Sequence, residues 1–298
     1  MAEPVAKTRF PSRASDYLNL GKPLIGLLAA ATCLAGYLSH RPASPAAFFI
    51  AAGMFFLAGG AGVLNNCQDR AADGRQRRTA DRPLAANRIP VGRAGVLSAL
   101  LFGLGFGVLW AGSRSAPAIG LGLGCVLIYN GFYTPLKRIT PFAFVPGTIC
   151  GLLCAYLGYV AAGGGVPSRT FVLFLVIVAT WQFPHHFLIS LIHRDDLLRS
   201  DLPSMFRRFT ISTLEKWVVL WLLSYAGLTL MLYLLGTVRT DAGMYILLAN
   251  SFGLMASSTL FLGRRVRNGM YRLLRSQLGF SQVVITLLVI TQGGPGPG

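Results

Sequence analysis

Asn65, Asp69 and Asp73 stand four residues apart in the stretch NNCQDRAADGRQRRTADRPLAANR, which runs from Asn65 to Arg88. On a helix that spacing puts all three on one face, drifting about 40° per step. Carboxylates stacked this way repel each other unless a cation lies between them. Arg75, Arg77, Arg78, Arg82 and Arg88 follow directly. Oxygen donors suited to a hard metal, beside guanidinium groups suited to a polyanion, predict a Mg²⁺–diphosphate site. The arginines alone also fit a solvated, positively charged loop after a membrane helix. That second reading leaves the acidic ladder unexplained.

Two further stretches carry chemistry. In YNGFYTPLKR, Asn130, Tyr133 and Lys137 fall at i, i+3 and i+7, one helical face, although Pro135 can kink the last turn. Lys137 and Arg138 add cations; taken alone they read first as anchors that snorkel to a membrane edge. In WQFPHHFLISLIHRDD, His185 and Asp196 are about three turns apart and can share a face. A single histidine in a span is usually a hydrogen-bonded core residue. The pair His185 and His186, after a proline and with Asp195 and Asp196 downstream, points to function. His193 reads as a loop residue. The chain has 10 acidic residues, and two loops hold Asp69, Asp73 and Asp81 and then Asp195, Asp196 and Asp201. Two such clusters facing each other across a bundle could hold one or two Mg²⁺ ions over a diphosphate.

The elements that must position these groups are membrane helices. Of 298 residues, 53% are hydrophobic and only 12% charged, about half the charged share of a soluble domain. Apolar runs predict nine spans near residues 22–40, 45–68, 93–112, 115–134, 142–162, 169–192, 214–236, 242–263 and 277–291. Backbone in lipid must satisfy itself, so the expected fold is an all-α bundle. Residues 1–21 are expected to form a polar N-terminal arm, 22–291 a single transmembrane domain and 292–298 a disordered tail. The segment 264–275 fits either a basic surface helix or a loop. Of 27 Lys and Arg, only Arg41, Arg114, Arg169 and Arg239 fall on one side of the membrane. The split predicts a cytoplasmic N-terminus, an outside C-terminus, and all the polar motifs on the cytoplasmic face. Basic residues confined to membrane loops, despite a net charge of +17, argue against nucleic acid as a partner. Cys33, Cys67, Cys125, Cys150 and Cys154 show neither metal-ligand spacing nor a disulfide framework and read as small core residues. Gly59, Gly60, Gly62, Gly103, Gly105 and Gly107 predict close helix packing.

The pattern through Asn65, Asp69, Asp73, Arg78, Thr79, Arg82 and Pro83 resembles the first aspartate-rich motif of the UbiA superfamily of intramembrane prenyltransferases. Within it, YTPLKR with the following TPFA, and WQFPH followed by RDD, resemble the branch that farnesylates protoheme IX to make heme O. The likeness covers about residues 17 to 290. It implies a nine-helix UbiA-type bundle in the inner (cytoplasmic) membrane, farnesyl diphosphate as donor, protoheme IX as acceptor and Mg²⁺ as cofactor. Asn65, Asp69, Asp73, Asp195 and Asp196 would hold the metal. Arg78, Arg82, Lys137, Arg138 and Arg194 would grip the phosphates, with Asn130 and Tyr133 orienting the diphosphate or shielding a cation. His185 or His186 would ligate or orient the heme iron or manage a proton, and His185 alone matches the branch's position. Heme A synthase or oxidase assembly factors are the expected protein partners. Cys154–Ala155 replaces a usual Pro–Pro, Ala71 a frequent Asp, His186 a usual Phe, and SMFRRF the usual Met-Leu-Pro. These departures touch the acceptor side. An aromatic quinone precursor as acceptor, or a membrane transporter or non-catalytic assembly factor, are the competing readings.

Overall fold

The computed structural model describes residues 13–199, 203–262 and 268–292. Every regular element among them is a helix, and nine stretches are long and apolar enough to cross a membrane. The protein is an all-α, multi-pass membrane protein. The helices are α1 (Arg13–Gly21), α2 (Pro23–Leu38), α3 (Pro45–Asp73), α4 (Val91–Ser113), α5 (Ala116–Val126), the short α6 (Thr134–Leu136), α7 (Phe144–Ala161), α8 (Arg169–Ile192), α9 (Arg194–Arg199), α10 (Ile211–Leu234), α11 (Asp241–Leu262) and α12 (Asn268–Gln292).

Three boundaries differ from the sequence expectation. α3 does not stop near residue 68 but runs unbroken for 29 residues to Asp73. Helical hydrogen bonds continue whether or not the side chains are apolar, so the ladder occupies the last turns of a spanning helix. Residues from the expected arm form α1, and α2 starts at Pro23 after a break at Lys22. The last span starts well before residue 277: α12 is continuous from Asn268, so Arg272 and Arg275 ride on the spanning helix itself. Residues 1–12 of the expected arm, 264–267 of the expected basic segment, and all of the expected tail beyond Gln292 lie outside the described residues.

α3 packs along α4 and α2, α2 along α7, and α8 against α10 and α12; α12 also reaches α2. One apolar core joins α2, α3, α5 and α7 around Cys33, Ile50, Leu57 and Leu157. A second joins α8, α10 and α12 around Ile177, Leu222, Tyr225 and Leu278. Glycine sets the closest approaches. A Cβ at Gly158 would strike the Cys33 carbonyl of α2, and one at Gly36 the Ala155 carbonyl of α7. Gly60 and Gly105 meet the expectation of close packing, against Phe102 and Leu57, whereas a Cβ added at Gly103 or Gly107 would meet nothing within 4 Å. Glycine periodicity alone does not tell which helix face meets a neighbour. The five cysteines are free thiols, three of them buried.

Candidate active site

The ladder carries a hydrogen-bonded cation at each step. Asn65 Nδ2 donates to Asp69 Oδ2 at 2.9 Å and to Thr134 Oγ1 at 3.0 Å. Lys22 Nζ donates to Asn65 Oδ1 at 2.8 Å. Lys137 Nζ lies 2.5 Å from Asp69 Oδ2, and Arg138 Nη2 lies 3.8 Å from Asp69 Oδ1. Arg82 Nη1 reaches both Asp73 oxygens, at 3.0 and 2.8 Å. Asn65, Asp69 and Asp73 are all buried. The carboxylates therefore do not repel one another bare; each carries its own cation.

The opposing face comes from the turn after α5. Residues Leu127–Tyr133 form a widened, π-type helical turn, in which the Thr134 amide and hydroxyl both bond the Tyr129 carbonyl. Such insertions re-aim side chains and recur at functional sites. Here the turn stacks Tyr129 on Tyr133, ring centroids 5.3 Å apart, and sets Lys137 Nζ 5.0 Å above the Tyr133 ring. It also turns the Asn130 side chain toward α3. Both hydrogens of its Nδ2 are spent on α3, on the Ala61 carbonyl and Gln68 Oε1, each at 3.1 Å. Gln68 Nε2 returns a bond to the Asn130 carbonyl at 2.9 Å. Asn130 is thus a brace between α3 and the π-type turn. Its remaining group, Oδ1, is a buried acceptor without a partner and offers no hydrogen to a phosphate.

The loop between α3 and α4 closes the site. Thr79 Oγ1 donates to the Asp73 carbonyl at 2.9 Å. Arg88 pins the loop to α1 through Asp16 at 3.0 Å and holds Asp81 at 2.8 Å. The bonds it donates to Asp16 raise the Arg88 pKa above its ordinary value. Arg88 is accordingly a structural clamp. Arg78 keeps solvent contact, yet loss of hydration and then the like charge of Arg82 lower its pKa; Asp73 and Asp196 oppose that shift and Arg275 adds to it. Arg78 therefore lies in the field of both acidic clusters.

From α9, Asp196 Oδ1 accepts the Arg77 backbone N–H at 3.3 Å, while its buried Oδ2 has no partner. Asp195 and Arg194 are exposed. Successive helical residues point about 100° apart, so the Asp195–Asp196 pair presents only one carboxylate to the loop. Among the described residues, no three carboxylate, histidine or cysteine side chains converge tightly enough to hold a metal unaided. His193 caps α8; burial first, and then Arg78 and Arg275, lower its pKa.

The two neighbouring histidines face different ways. The His185 ring stacks on Trp181 at 4.4 Å, and its buried Nδ1 has no partner. Trp181 Nε1 donates to the Leu278 carbonyl at 2.9 Å, tying this wall to α12. The His186 ring stacks on Phe144 at 4.6 Å, against α7. The charge count sets Lys22 and Arg275 on this face of the membrane, but sequence reasoning named none of Lys22, Gln68, Thr134 and Arg275 as site residues. Gln68, on the ladder's own helix, was the one with a local signal.

Fold and site together define a multi-pass helical membrane protein that gathers cations and buried oxygen donors at one end of an apolar interior. The chain belongs to the UbiA prenyltransferase family, which matches residues 25–275, and it is a transferase. It is 31% identical over 240 residues to protoheme IX farnesyltransferase of Oleidesulfovibrio alaskensis, covering 78% of this chain and 83% of that one. Protoheme IX farnesyltransferase 1 of Pseudomonas putida is 32% identical over 251 residues, covering 80% of each chain. The fold is similar to a UbiA homologue from Aeropyrum pernix, with a TM-score of 0.71 at 19% identity over 90% of this chain and 98% of that one. It is also similar to a UbiA homologue from Archaeoglobus fulgidus bound to GPP and Mg²⁺, with a TM-score of 0.66 at 16% identity over 93% of this chain and 98% of that one.

Proposed function

We propose that the protein transfers the farnesyl group of farnesyl diphosphate to a vinyl group of protoheme IX, giving heme O. The observation that carries the donor half is the excess of cations over carboxylates at the ladder. Lys22, Arg78, Arg82, Lys137 and Arg138 surround Asp69 and Asp73. Such a surplus in a partly dry site calls for a polyanion. The acceptor half rests on the relatives named protoheme IX farnesyltransferase and on the unpartnered His185 Nδ1.

The residues fit a Mg²⁺ ion. Asn65, Asp69 and Asp73 supply oxygen donors on one helix face, and Asp196 Oδ2 is an unpartnered buried carboxylate oxygen beside the same loop. The lack of a closed protein cage suits Mg²⁺, which keeps a few carboxylates and completes its shell with phosphate oxygens. Once bound, the ion would stabilise charge developing on the diphosphate.

The chain's own residues do the rest. Lys137, Arg138, Arg82 and Arg78 hold the leaving diphosphate as the allylic C–O bond ionises. The Tyr129 ring, backed by Tyr133, offers a π face to the carbocation at its allylic end. The apolar interior accepts the farnesyl chain and keeps water from the cation until the acceptor's vinyl carbon attacks. Water then supplies the hydroxyl and a proton leaves. His185, with its free ring nitrogen, is the side chain we assign to the heme, as an iron ligand or as the group that handles that proton. The basic loops support an orientation with this end of the bundle in the cytoplasm, open to a soluble donor head group.

The test is a competition. Purified protein receives farnesyl diphosphate, Mg²⁺, heme B and an aromatic quinone precursor together, and products are read by mass. Farnesylated, hydrated heme supports the proposal; a farnesylated aromatic product replaces the acceptor; no diphosphate release with either overturns the enzyme reading.

A further inference from the structure

Lys22 stands at an unusual place in the chain. It separates α1 from α2 in a left-handed backbone conformation, φ 48° and ψ 58°. For a residue other than glycine that conformation costs about 1–2 kcal/mol. Glycine would take it freely, and Gly21 is the neighbouring residue. The break directs the lysine stem across Gly62 of α3, where a Cβ would sit 3.6 Å from the lysine Cδ. The stem then delivers Nζ to Asn65 Oδ1 at 2.8 Å.

That partner is a neutral amide. Asp69 and Asp73 are both within electrostatic range of Lys22, but Lys137 and Arg82 already occupy them, and those two cations repel the ammonium. Among the described residues Lys22 has no ion pair. An ammonium has three hydrogens to donate, and an ammonium kept among like charges gains most from an anion that brings several oxygens.

We propose that Lys22 is a diphosphate-binding residue of the donor site: when the donor binds, Nζ moves from Asn65 Oδ1 to a phosphate oxygen and releases that amide oxygen. The inference rests on the reading of this end as the donor site. It gives the strained break a purpose, since a helix running straight from α1 into α2 would carry residue 22 elsewhere. It also makes donor binding sensitive to the α1–α2 junction, to which Asn66 Nδ2 is tied by a 3.1 Å bond to the Leu20 carbonyl.

The experiment uses the full chain in detergent and titrates inorganic pyrophosphate in the presence of Mg²⁺ by calorimetry. The expected result is a tenfold or greater loss of affinity in Lys22→Gln and a change within about threefold in Lys22→Arg. Glutamine can still donate to Asn65 Oδ1, so the Lys22→Gln thermal midpoint should stay close to that of the unaltered chain. Equal pyrophosphate affinity in Lys22→Gln and the unaltered chain overturns the role of Lys22 and leaves the donor site standing. Weak binding in both Lys22→Gln and Lys22→Arg, each with a large drop in thermal midpoint, assigns Lys22 to the fold and overturns it as well. An unaltered chain that does not bind Mg²⁺–pyrophosphate overturns the donor-site reading itself.

Discussion

Asp69→Asn isolates charge from shape at the centre of the ladder. Asp69 is 7% exposed, accepts from Asn65 and Lys137 on one oxygen, and faces Arg138 across 3.8 Å with the other. Asparagine has the same outline and keeps one acceptor oxygen, so packing survives. What is lost is one unit of negative charge among cations, and with it a donor to the metal. In the ligand-free protein the cost is modest, about 1 kcal/mol, because Lys137 and Arg138 keep 30% and 48% of their side-chain exposure and can turn to solvent. In the transition state the loss is larger. Removing one preorganised stabiliser of developing charge costs about 3 kcal/mol, or roughly a hundredfold in rate. The expected outcome is a fall in kcat/KM for farnesyl diphosphate of about a hundredfold, with the thermal midpoint in detergent little changed. The assay is the rate of farnesylated product measured by mass across donor concentrations. A variant within threefold of the unaltered enzyme, with the same Mg²⁺ requirement, would refute the assignment of Asp69 to the metal–diphosphate site.

Three other outcomes follow from the same geometry. The double variant His185→Ala with His186→Ala should lose at least tenfold in heme affinity, read from the Soret band, while Mg²⁺–pyrophosphate affinity holds; full activity with full heme affinity would remove both histidines from the acceptor site. Gly158→Ala must push α2 from α7 because its Cβ meets the Cys33 carbonyl, and should cost about 1–3 kcal/mol in a denaturation series, whereas Gly107→Ala, with open space around it, should be neutral or slightly stabilising. Arg88→Met removes the clamp on Asp16 and Asp81 and should make the segment 74–90 cleave faster in limited proteolysis; an unchanged rate would show that the loop holds without it.

Much of this is legible in the sequence because the governing constraints are local. Hydrocarbon demands long apolar helices, so the nine spans can be read from composition along the chain. The ladder can be read from its spacing of four, since one helix carries all of it. The end of α3 is not legible in the same way, because polarity marks where lipid contact ends and not where helical hydrogen bonding ends. The face of Asn130 is not legible either, because a π-type turn resets the register on which i, i+3, i+7 depends. The charge count puts Lys22 and Arg275 on the right side of the membrane, but nothing local marks them for the site: their partners lie on other helices, and only packing sets them among these groups. For Asp195 and Asp196 the acidic pair is visible, but the rotation of α9 sets which carboxylate faces the loop.

This charged end is proposed to ionise a prenyl diphosphate with help from a divalent metal. Pyrophosphate release from farnesyl diphosphate, measured with purified protein and heme B before and after chelation, tests it most directly. One pyrophosphate released per farnesylated heme, abolished by EDTA and restored by Mg²⁺, is the predicted result. No release, or release indifferent to chelation, would contradict it.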